Sequence, residues 1–230
     1  QDFILVNTNF VFGNNIKGDN FVISNYGNRF KNIQKIIDED KLKFKAIITL
    51  INEVSLQYKI VLRPHPEELI QAYREFFNNN SNVFIIRENS SIPWIKASKA
   101  CIHIDCTTGI EAAILNKRTI SYLPKYLKIK MLTQLPVEVS EIFSSSSEII
   151  YSLNKGNKKS TNKKKILNDY FSINHKIDNL VEHIILASNK NENFSYKTKK
   201  KVSDYIYNLK SFIKFYLPNK NPIEKSKLKK

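Results

Sequence analysis

YKIVLRPHPEE (residues 58–68) decides the fold class, because an apolar strand-like run ends there in a stiff polar turn. Arg63 closes the strand, and a proline stands on each side of His65. Both prolines restrict the backbone and neither donates an amide hydrogen, so the loop that carries the imidazole is rigid. A core strand that delivers a cation and a fixed histidine to its carboxyl end is typical of a ligand-binding α/β domain.

Two interpretations of this turn stay open on the residues alone. In the first, the prolines aim His65 and Arg63 at a ligand beyond the strand. In the second, the segment is an ordinary strand-to-helix turn in which Pro66 starts a helix and His65 lies at the surface. In both, we expect Glu67 and Glu68 to open the next helix, where acids favour the positive end of the helix dipole.

The same alternation recurs along the first 150 residues. Short apolar runs predict strands at 3–7, 58–63, 83–86, 101–104 and 119–122. The stretches between them predict helices at 29–56, 67–78, 92–98 and 108–116. Because short apolar strands that alternate with helices are buried on both faces, we expect a Rossmann-like α/β domain with a doubly wound parallel sheet. A serine run at 144–147 predicts the cap of a helix at 148–153, and additional C-terminal helices are expected at 174–187 and 198–217.

The segment after the fourth predicted strand has the residues of an anion site. In DCTTGIEAA (105–113), Thr107 or Thr108 can cap a helix whose first turn includes Gly109, which offers free amides and two hydroxyls. Glu111 follows about one turn later, where its carboxylate could bind ribose hydroxyls. A capping box of Thr108 and Glu111 explains the same residues without a ligand.

Positive charge is concentrated in the last third of the chain. Residues 1–154 hold 18 Lys and Arg against 15 Asp and Glu, whereas residues 155–230 hold 19 against 6, which gives +3 and +13 of the total +16. We therefore expect a Rossmann-like domain at 1–154 and a basic helical extension at 155–230. Such an extension fits a solvated surface, an anionic membrane surface or, least well, nucleic acid.

Other features of the chain favour a cytoplasmic protein. Cys101 and Cys106, the two cysteines, lie in a predicted core segment and do not form a secreted disulfide framework. No apolar run approaches the roughly 18–20 residues of a membrane-spanning helix, and the start lacks the plan of a signal peptide. The chain begins with Gln1 and reaches a strand by residue 3, from which we expect a true start further upstream and a missing N-terminal domain.

RPHPEE (63–68), followed by SSIPWIKASKACIHIDCTTGIEAAILNKRTISY (90–122), resembles a known family. The two motifs are similar to the nucleotide-binding C-terminal half of bacterial surface-carbohydrate biosynthesis proteins, glycosyltransferases of the GT-B type. Capsule Kdo transferases and bacterial sialyltransferases share the His-Pro motif, and the non-hydrolysing UDP-GlcNAc 2-epimerases share it more distantly. The resemblance covers about residues 3–125.

The resemblance implies a role for each residue around the donor phosphate. His65 would contact the phosphate of the leaving nucleotide, and Arg63 would support it from the strand. Thr107 and Thr108 would hydrogen-bond the same phosphate, together with backbone amides such as that of Gly109. Stabilisation of a departing phosphate by preorganised donors needs no metal.

Further roles follow for the ribose, base and sugar. Glu111 would bind the ribose, and the loop from Glu88 to Trp94, with Pro93, would border the base. Trp94 and Pro93 are expected to pack the loop rather than stack on the base. The remaining candidates, which would line the cleft near the sugar, are Asn7, Thr8 and Asn9.

The resemblance thus implies an inverting, metal-independent glycosyltransferase. Its donor would be a CMP- or UDP-linked sugar, its acceptor a glycan or lipid-linked glycan, and it would need no cofactor. The basic extension would hold it at the inner membrane face, and nucleic acid is not expected as a partner. In GT-B enzymes the general base commonly lies on the N-terminal domain, so we do not expect the residues of this domain to supply it.

Two alternatives to this function remain. A nucleotide-sugar 2-epimerase of the same fold would require an acid/base pair around the sugar. A noncatalytic basic module for nucleic acid or an anionic surface would use the α/β part as a scaffold. Two residues of the motifs are expected to be structural: His103 as a hydrogen-bonded core histidine, and Cys106 as a packed thiol.

Overall fold

A computed structural model describes residues 3–127, 132–156 and 163–170 of the chain. Strands and helices alternate through this part. In chain order they are β1 Phe3–Asn7, α1 Gly18–Tyr26, a 3₁₀ turn Gly27–Arg29, α2 Ile33–Val54, β2 Lys59–Arg63, α3 Ile70–Phe77, β3 Val83–Ile85, α4 Ser91–Ala97, β4 Ala100–His103, α5 Thr108–Ile114, β5 Thr119–Tyr122, α6 Gln134–Glu138, β6 Glu141–Phe143, α7 Ser146–Lys155 and α8 Lys163–Tyr170.

The six strands form one sheet in the order β3-β2-β1-β4-β5-β6. Every neighbouring pair is parallel, and in the register Asn7 lies opposite Arg63 while Val6 lies opposite Ile102. The prediction of a Rossmann-like doubly wound α/β fold is therefore confirmed. Strand order reverses between β1 and β4, so the crevice at their carboxyl ends is the position where such sheets bind ligands.

Burial on both faces explains why the strands are continuous apolar runs. Ile4 and Val6 of β1 point into a core formed with α2, α3 and α7. Phe3 and Leu5 point to the opposite face and pack with residues of α4 and α5. Because successive side chains of a strand alternate between faces, both sets must be apolar when helices cover both sides.

The predicted helix at 67–78 begins later than expected, at Ile70. Glu67 and Glu68 therefore do not open α3, and the prediction that they do is wrong. Glu68 forms an antiparallel bridge with Asn15, and the Ile16 amide donates to the Glu67 carbonyl at 2.8 Å. Glu67 lies in a turn and Glu68 in the bridge, and pairing with the loop after β1 holds both acids before the start of α3.

Four helices and strands were not predicted from the sequence: α1, α6, β6 and α8. In β6, the buried Glu141 forms a two-fold hydrogen-bonded ion pair with Arg118, at 3.0 and 2.9 Å. A charged residue is unfavourable in a buried strand unless it is paired. The sequence EIF (141–143) therefore does not predict a strand. The predicted serine cap is confirmed, since the Ser145 side chain accepts from the Glu148 amide at the start of α7.

All of these elements belong to one compact unit, Gln1–Ile173. Its last helix, α8, places Leu167 against Ala113 and Val139. The helices predicted at 174–187 and 198–217, and most of the basic extension, lie outside the described residues. Among the described helices, none is both long and apolar enough to cross a membrane.

Candidate functional site at the carboxyl ends of the strands

Thr8, directly after the central strand β1, connects the two motifs found in the sequence. Its hydroxyl donates to Glu68 Oε1 at 2.8 Å, in the turn that follows β2. Its carbonyl accepts from Cys106 Sγ at 3.8 Å, in the segment that follows β4. Since β1 lies between β2 and β4 in the sheet, Thr8 holds the ends of both neighbours in one crevice.

His65 is fixed by hydrogen bonds as well as by its prolines. Its backbone amide donates to Glu68 Oε1 at 2.8 Å, and its Nδ1 accepts from the Glu67 amide at 3.2 Å. With Nδ1 acting as an acceptor, the proton of the neutral ring lies on Nε2. His65 is partly buried, and it presents Nε2 as a hydrogen-bond donor at the strand end.

Glu68, which the sequence did not single out, organises this turn. It is 0% exposed, and its carboxylate hydrogen-bonds the Thr8 hydroxyl, the His65 amide and the Tyr73 hydroxyl. Burial raises the pKa of Glu68. No sequence signal separates Glu68 from the exposed Glu67, because only the fold turns one of two adjacent acids inward.

Arg63 bonds to protein carbonyls. Nη1 donates to the Glu88 carbonyl at 2.9 Å, and Nη2 donates to the carbonyls of Asn89 at 2.7 Å and Arg87 at 3.5 Å. Its guanidinium also lies over the Trp94 ring, 5.8 Å from the centroid. Arg63 thus holds the loop between β3 and α4 in place, and burial lowers its pKa.

The predicted base-binding segment divides into a short loop and the start of α4. Glu88 lies exposed in the loop, where backbone hydrogen bonds from its own amide and from Arg87 hold its pKa below the usual value. Pro93 lies exposed in the first turn of α4. The prediction that Trp94 packs is confirmed, since its ring meets Phe3 edge-on at 6.2 Å.

The capping box proposed for α5 does not form. Thr107 is the N-cap residue and makes no side-chain cap bond, while the Thr108 hydroxyl donates to Cys106 Sγ at 3.1 Å. The Glu111 carboxylate instead accepts from the Ser91 hydroxyl at 2.6 Å. Glu111 therefore joins the first turns of α5 and α4 at the crevice.

Gly109 is required by packing. A Cβ added at Gly109 would lie 2.3 Å from Nε2 of His103, so only glycine lets α5 approach β4 this closely. His103 is buried, its Nε2 lies 3.0 Å from the Ser140 hydroxyl, and burial lowers its pKa to about 4. The prediction of a hydrogen-bonded core histidine is confirmed.

A cavity of about 270 Å³ opens beside the crevice. It lies at the switch between β1 and β4 and is lined by Asn9, Val11, Phe12, Ile36, Glu39, Asp40, Lys43, Asp105, Leu132 and Thr133. Among the predicted sugar-binding residues, Asn9 lines this cavity. Asn7 is buried and donates to Cys101 Sγ at 3.5 Å, and Thr8 is buried in its contacts with Glu68.

The charged groups of the cavity come from α2 and from the end of β4. Lys43 forms a buried ion pair with Asp105 at 3.0 Å. Asp40 accepts from the backbone amides of Phe12 at 3.1 Å and Gly13 at 2.9 Å, and burial raises its pKa to about 7.

Both cysteines of the predicted core segment are buried free thiols. Burial raises the pKa of Cys106 to about 11 and that of Cys101 further above its usual value. The prediction that Cys106 packs is confirmed by its burial against Thr8. Neither thiol has the lowered pKa of a nucleophile.

Comparison with known proteins leaves the site to be interpreted from its own geometry. No protein-family model matches the chain, and no curated protein matches it at a significant level. In the described part of the chain, no group of three His, Cys, Asp or Glu side chains is placed to hold a metal ion.

Proposed function

We propose that this chain carries the donor-binding domain of a nucleotide-sugar-dependent glycosyltransferase for bacterial surface polysaccharide. The observation that carries the proposal is the connection through Thr8 between the turn of His65 and the start of α5. It brings the carboxyl ends of β2, β1 and β4 together at the switch point of a Rossmann-like sheet, where nucleotides bind in such folds.

The phosphate and the ribose of the nucleotide sugar each have proposed partners in the crevice. The Nε2 donor of His65 would bind the phosphate, together with the hydroxyls and amides of Thr107 and Thr108. Glu111, held by Ser91 at the start of α4, would accept hydrogen bonds from the ribose. Donors fixed before the ligand arrives lose little freedom on binding, which favours stabilisation of a leaving phosphate.

The cavity at Asn9 is the proposed place of the sugar. Its volume of about 270 Å³ is below the roughly 300–1,000 Å³ of sites for whole drug-sized ligands, and suits a single sugar ring. Asn9, Asp40 and Thr133 offer hydrogen-bonding groups to hydroxyls.

A thermal-shift screen with CMP, CDP, UDP and GDP tests the nucleotide site. We expect at least one nucleotide to raise the melting temperature of the wild type, and His65→Ala to lose most of that shift. Glu67→Ala is the matched control, because Glu67 is exposed in the same turn and its amide bond to His65 is kept. A wild type that no nucleotide stabilises, or a His65→Ala variant that responds fully, contradicts the proposal.

Glu111→Gln tests the ribose contact separately. The variant should weaken binding of ribonucleotides more than binding of their 2′,3′-dideoxy analogues, because only the former present the hydroxyls. Equal losses for both would remove Glu111 from this role.

One observation favours the second candidate, a nucleotide-sugar epimerase. Asp40 lines the cavity with a pKa of about 7, the range in which a carboxyl group can exchange protons at neutral pH. Product analysis separates the two, since a transferase moves the sugar to an acceptor and an epimerase leaves it on the nucleotide.

The basic extension at 155–230 is proposed to attract the enzyme to an anionic membrane surface. Sedimentation with vesicles of anionic and of neutral phospholipid should show binding to the anionic ones alone, weakened by salt. Equal binding to both kinds of vesicle would contradict this part of the proposal, and salt-sensitive binding of RNA without vesicle binding would favour the noncatalytic module.

A further inference from the structure

We infer that Arg87 is the cation that binds the ligand phosphate beside His65, and that Arg63 positions the loop from which Arg87 extends. The inference rests on the proposed nucleotide site and adds to it a residue that the two sequence motifs do not contain. The ligand group is a phosphate or diphosphate oxyanion.

Arg87 lies next to the His65 turn. It follows β3, whose neighbour in the sheet is β2, so both segments emerge at the same edge. Arg87 Nη2 donates to the backbone carbonyl of Glu68, and the Glu68 amide donates to the His65 carbonyl at 2.9 Å. One hydrogen bond therefore anchors the guanidinium to the turn that fixes the imidazole.

The other two nitrogens of the Arg87 guanidinium, Nε and Nη1, donate to no acceptor in the described part of the chain. Its Nε is buried without a hydrogen-bond partner, and its Nη1 makes no hydrogen bond to the described residues and is not buried. The three ion pairs found among the described residues do not include Arg87. A guanidinium carries five N–H donors, so one that is anchored through Nη2 and open at Nη1 is prepared to bind two oxygens of a phosphate.

Arg63 cannot fill this position without giving up its own contacts. Both of its terminal nitrogens donate to carbonyls of residues 87–89, and its side chain is packed against Trp94. One of these bonds, from Nη2 to the Arg87 carbonyl, fixes the backbone of Arg87 itself. Arg63 is thus a positioning residue.

No carboxylate in the described part of the chain forms an ion pair with the Arg87 side chain. The nearest acid in sequence, Glu88, accepts from the backbone amide of Arg87 at 3.1 Å and forms no ion pair with its guanidinium. Arg74 is exposed on α3, and its positive charge helps to lower the pKa of Glu88. Arg74 therefore lies on the same side of the domain. Arg74 is therefore a matched control for the loss of one positive charge.

Isothermal titration of the 230-residue chain with pyrophosphate, CMP and UDP tests the inference. We expect Arg87→Gln to weaken pyrophosphate binding at least tenfold, and to weaken whichever nucleotide binds by a similar factor. Arg74→Gln should change these affinities by less than about threefold, as expected for a screened surface charge. Arg87→Lys, which keeps the charge but not the planar fork, should give an intermediate loss.

The outcomes separate this inference from the proposed function. Nucleotide binding that Arg87→Gln leaves unchanged overturns the role of Arg87 and preserves the nucleotide site. Pyrophosphate binding that depends on Arg87 in a chain that binds no nucleotide supports the anion site and contradicts the nucleotide function. Equal losses for Arg87→Gln and Arg74→Gln, or a wild type that binds no pyrophosphate, overturn the inference. Should Arg87→Gln unfold, as judged by circular dichroism, Arg87→Lys decides, and wild-type affinity in that variant overturns it.

Discussion

Two buried carboxylates hold the loops at the carboxyl edge of the sheet, and they do so in different surroundings. Glu68 is fully enclosed, where it bonds the hydroxyls of Thr8 and Tyr73 and the amide of His65. Both of its carboxylate oxygens accept hydrogen bonds from the protein. Asp40, by contrast, stands beside an open cavity.

Asp40 accepts from the backbone amides of Phe12 and Gly13 and shares its cavity with the ion pair of Lys43. Burial raises the pKa of Asp40, as it does that of Glu68. Glu68 and Asp40 are thus both buried acids that accept hydrogen bonds from loops. The enclosed Glu68 stabilises the fold, whereas Asp40, which lines a cavity, also stays within reach of a ligand.

Glu68→Ala, at the enclosed carboxylate, should cause the largest loss of stability. The change leaves three buried donors without an acceptor, each worth roughly 1–3 kcal/mol, so we expect the free energy of unfolding to fall by about 3 kcal/mol or more. Urea denaturation of the variant measures it. Glu67→Ala, at the exposed neighbour, should stay within about 0.5 kcal/mol of the wild type. Similar losses for both would mean that Glu68 does not hold the turn.

Gly13→Ala tests the loop held by Asp40. An added Cβ would lie 2.5 Å from the backbone nitrogen of Lys41, so the loop must move away from α2 and weaken its bonds to Asp40. We expect a loss of about 1–3 kcal/mol in the free energy of unfolding, measured by denaturation. Gly27→Ala is the control, since its Cβ would meet only Ile33 at 3.9 Å. Equal stability of the two variants would show that the close approach is not required.

Asp40→Asn should have the smallest effect on stability near pH 4, where the Asp40 carboxyl group is uncharged in the fold, and its main effect is a change in pH dependence. The pKa of Asp40 is 3.8 in an unstructured chain and about 7 in the fold, so the fold binds the proton more tightly between these values. The stability that Asp40 contributes is complete below pH 3.8 and is lost as the pH rises through about 7. Removing the group should flatten the pH dependence of stability between pH 4 and 7, by less than about 1.4 kcal/mol per pH unit.

Thermal denaturation across this pH range, compared with the exposed control Asp38→Asn, measures the effect. His103 affects the pH dependence with the opposite sign, because its pKa is lowered to about 4 in the fold. The stability that His103 contributes is present above pH 6.5 and is lost as the pH falls through about 4. Because His103 is present in the wild type and in both variants, the difference between them isolates Asp40. An unchanged pH dependence in Asp40→Asn would contradict the raised pKa.

Much of the fold could be predicted because the sheet is buried on both faces. The runs FILVN and TISY stand out as short apolar segments between polar loops, and β1 and β5 coincide with them. β6 could not be predicted, because its burial of Glu141 depends on Arg118, which is 23 residues away. The position of β1 between β2 and β4 is likewise a property of the sheet, and is not visible in any single segment.

The candidate site was predicted less completely, for similar reasons. His65, Thr108 and Glu111 were identified from local patterns, but their connections run through Thr8 and Ser91, which no local pattern links to them. Asp40 could have been found from helix periodicity. It lies three residues after Ile37 and four before Phe44, both buried, so it shares the core-facing side of α2.

The hydrogen bonds among Thr8, Glu68 and Tyr73 also connect three elements of the fold. Thr8 follows β1, Glu68 lies in the turn after β2, and Tyr73 lies on α3. The same Glu68 carboxylate accepts from the backbone amide of His65. The place where we propose that a phosphate binds is therefore coupled to the packing of α3 as well as to the two prolines beside His65.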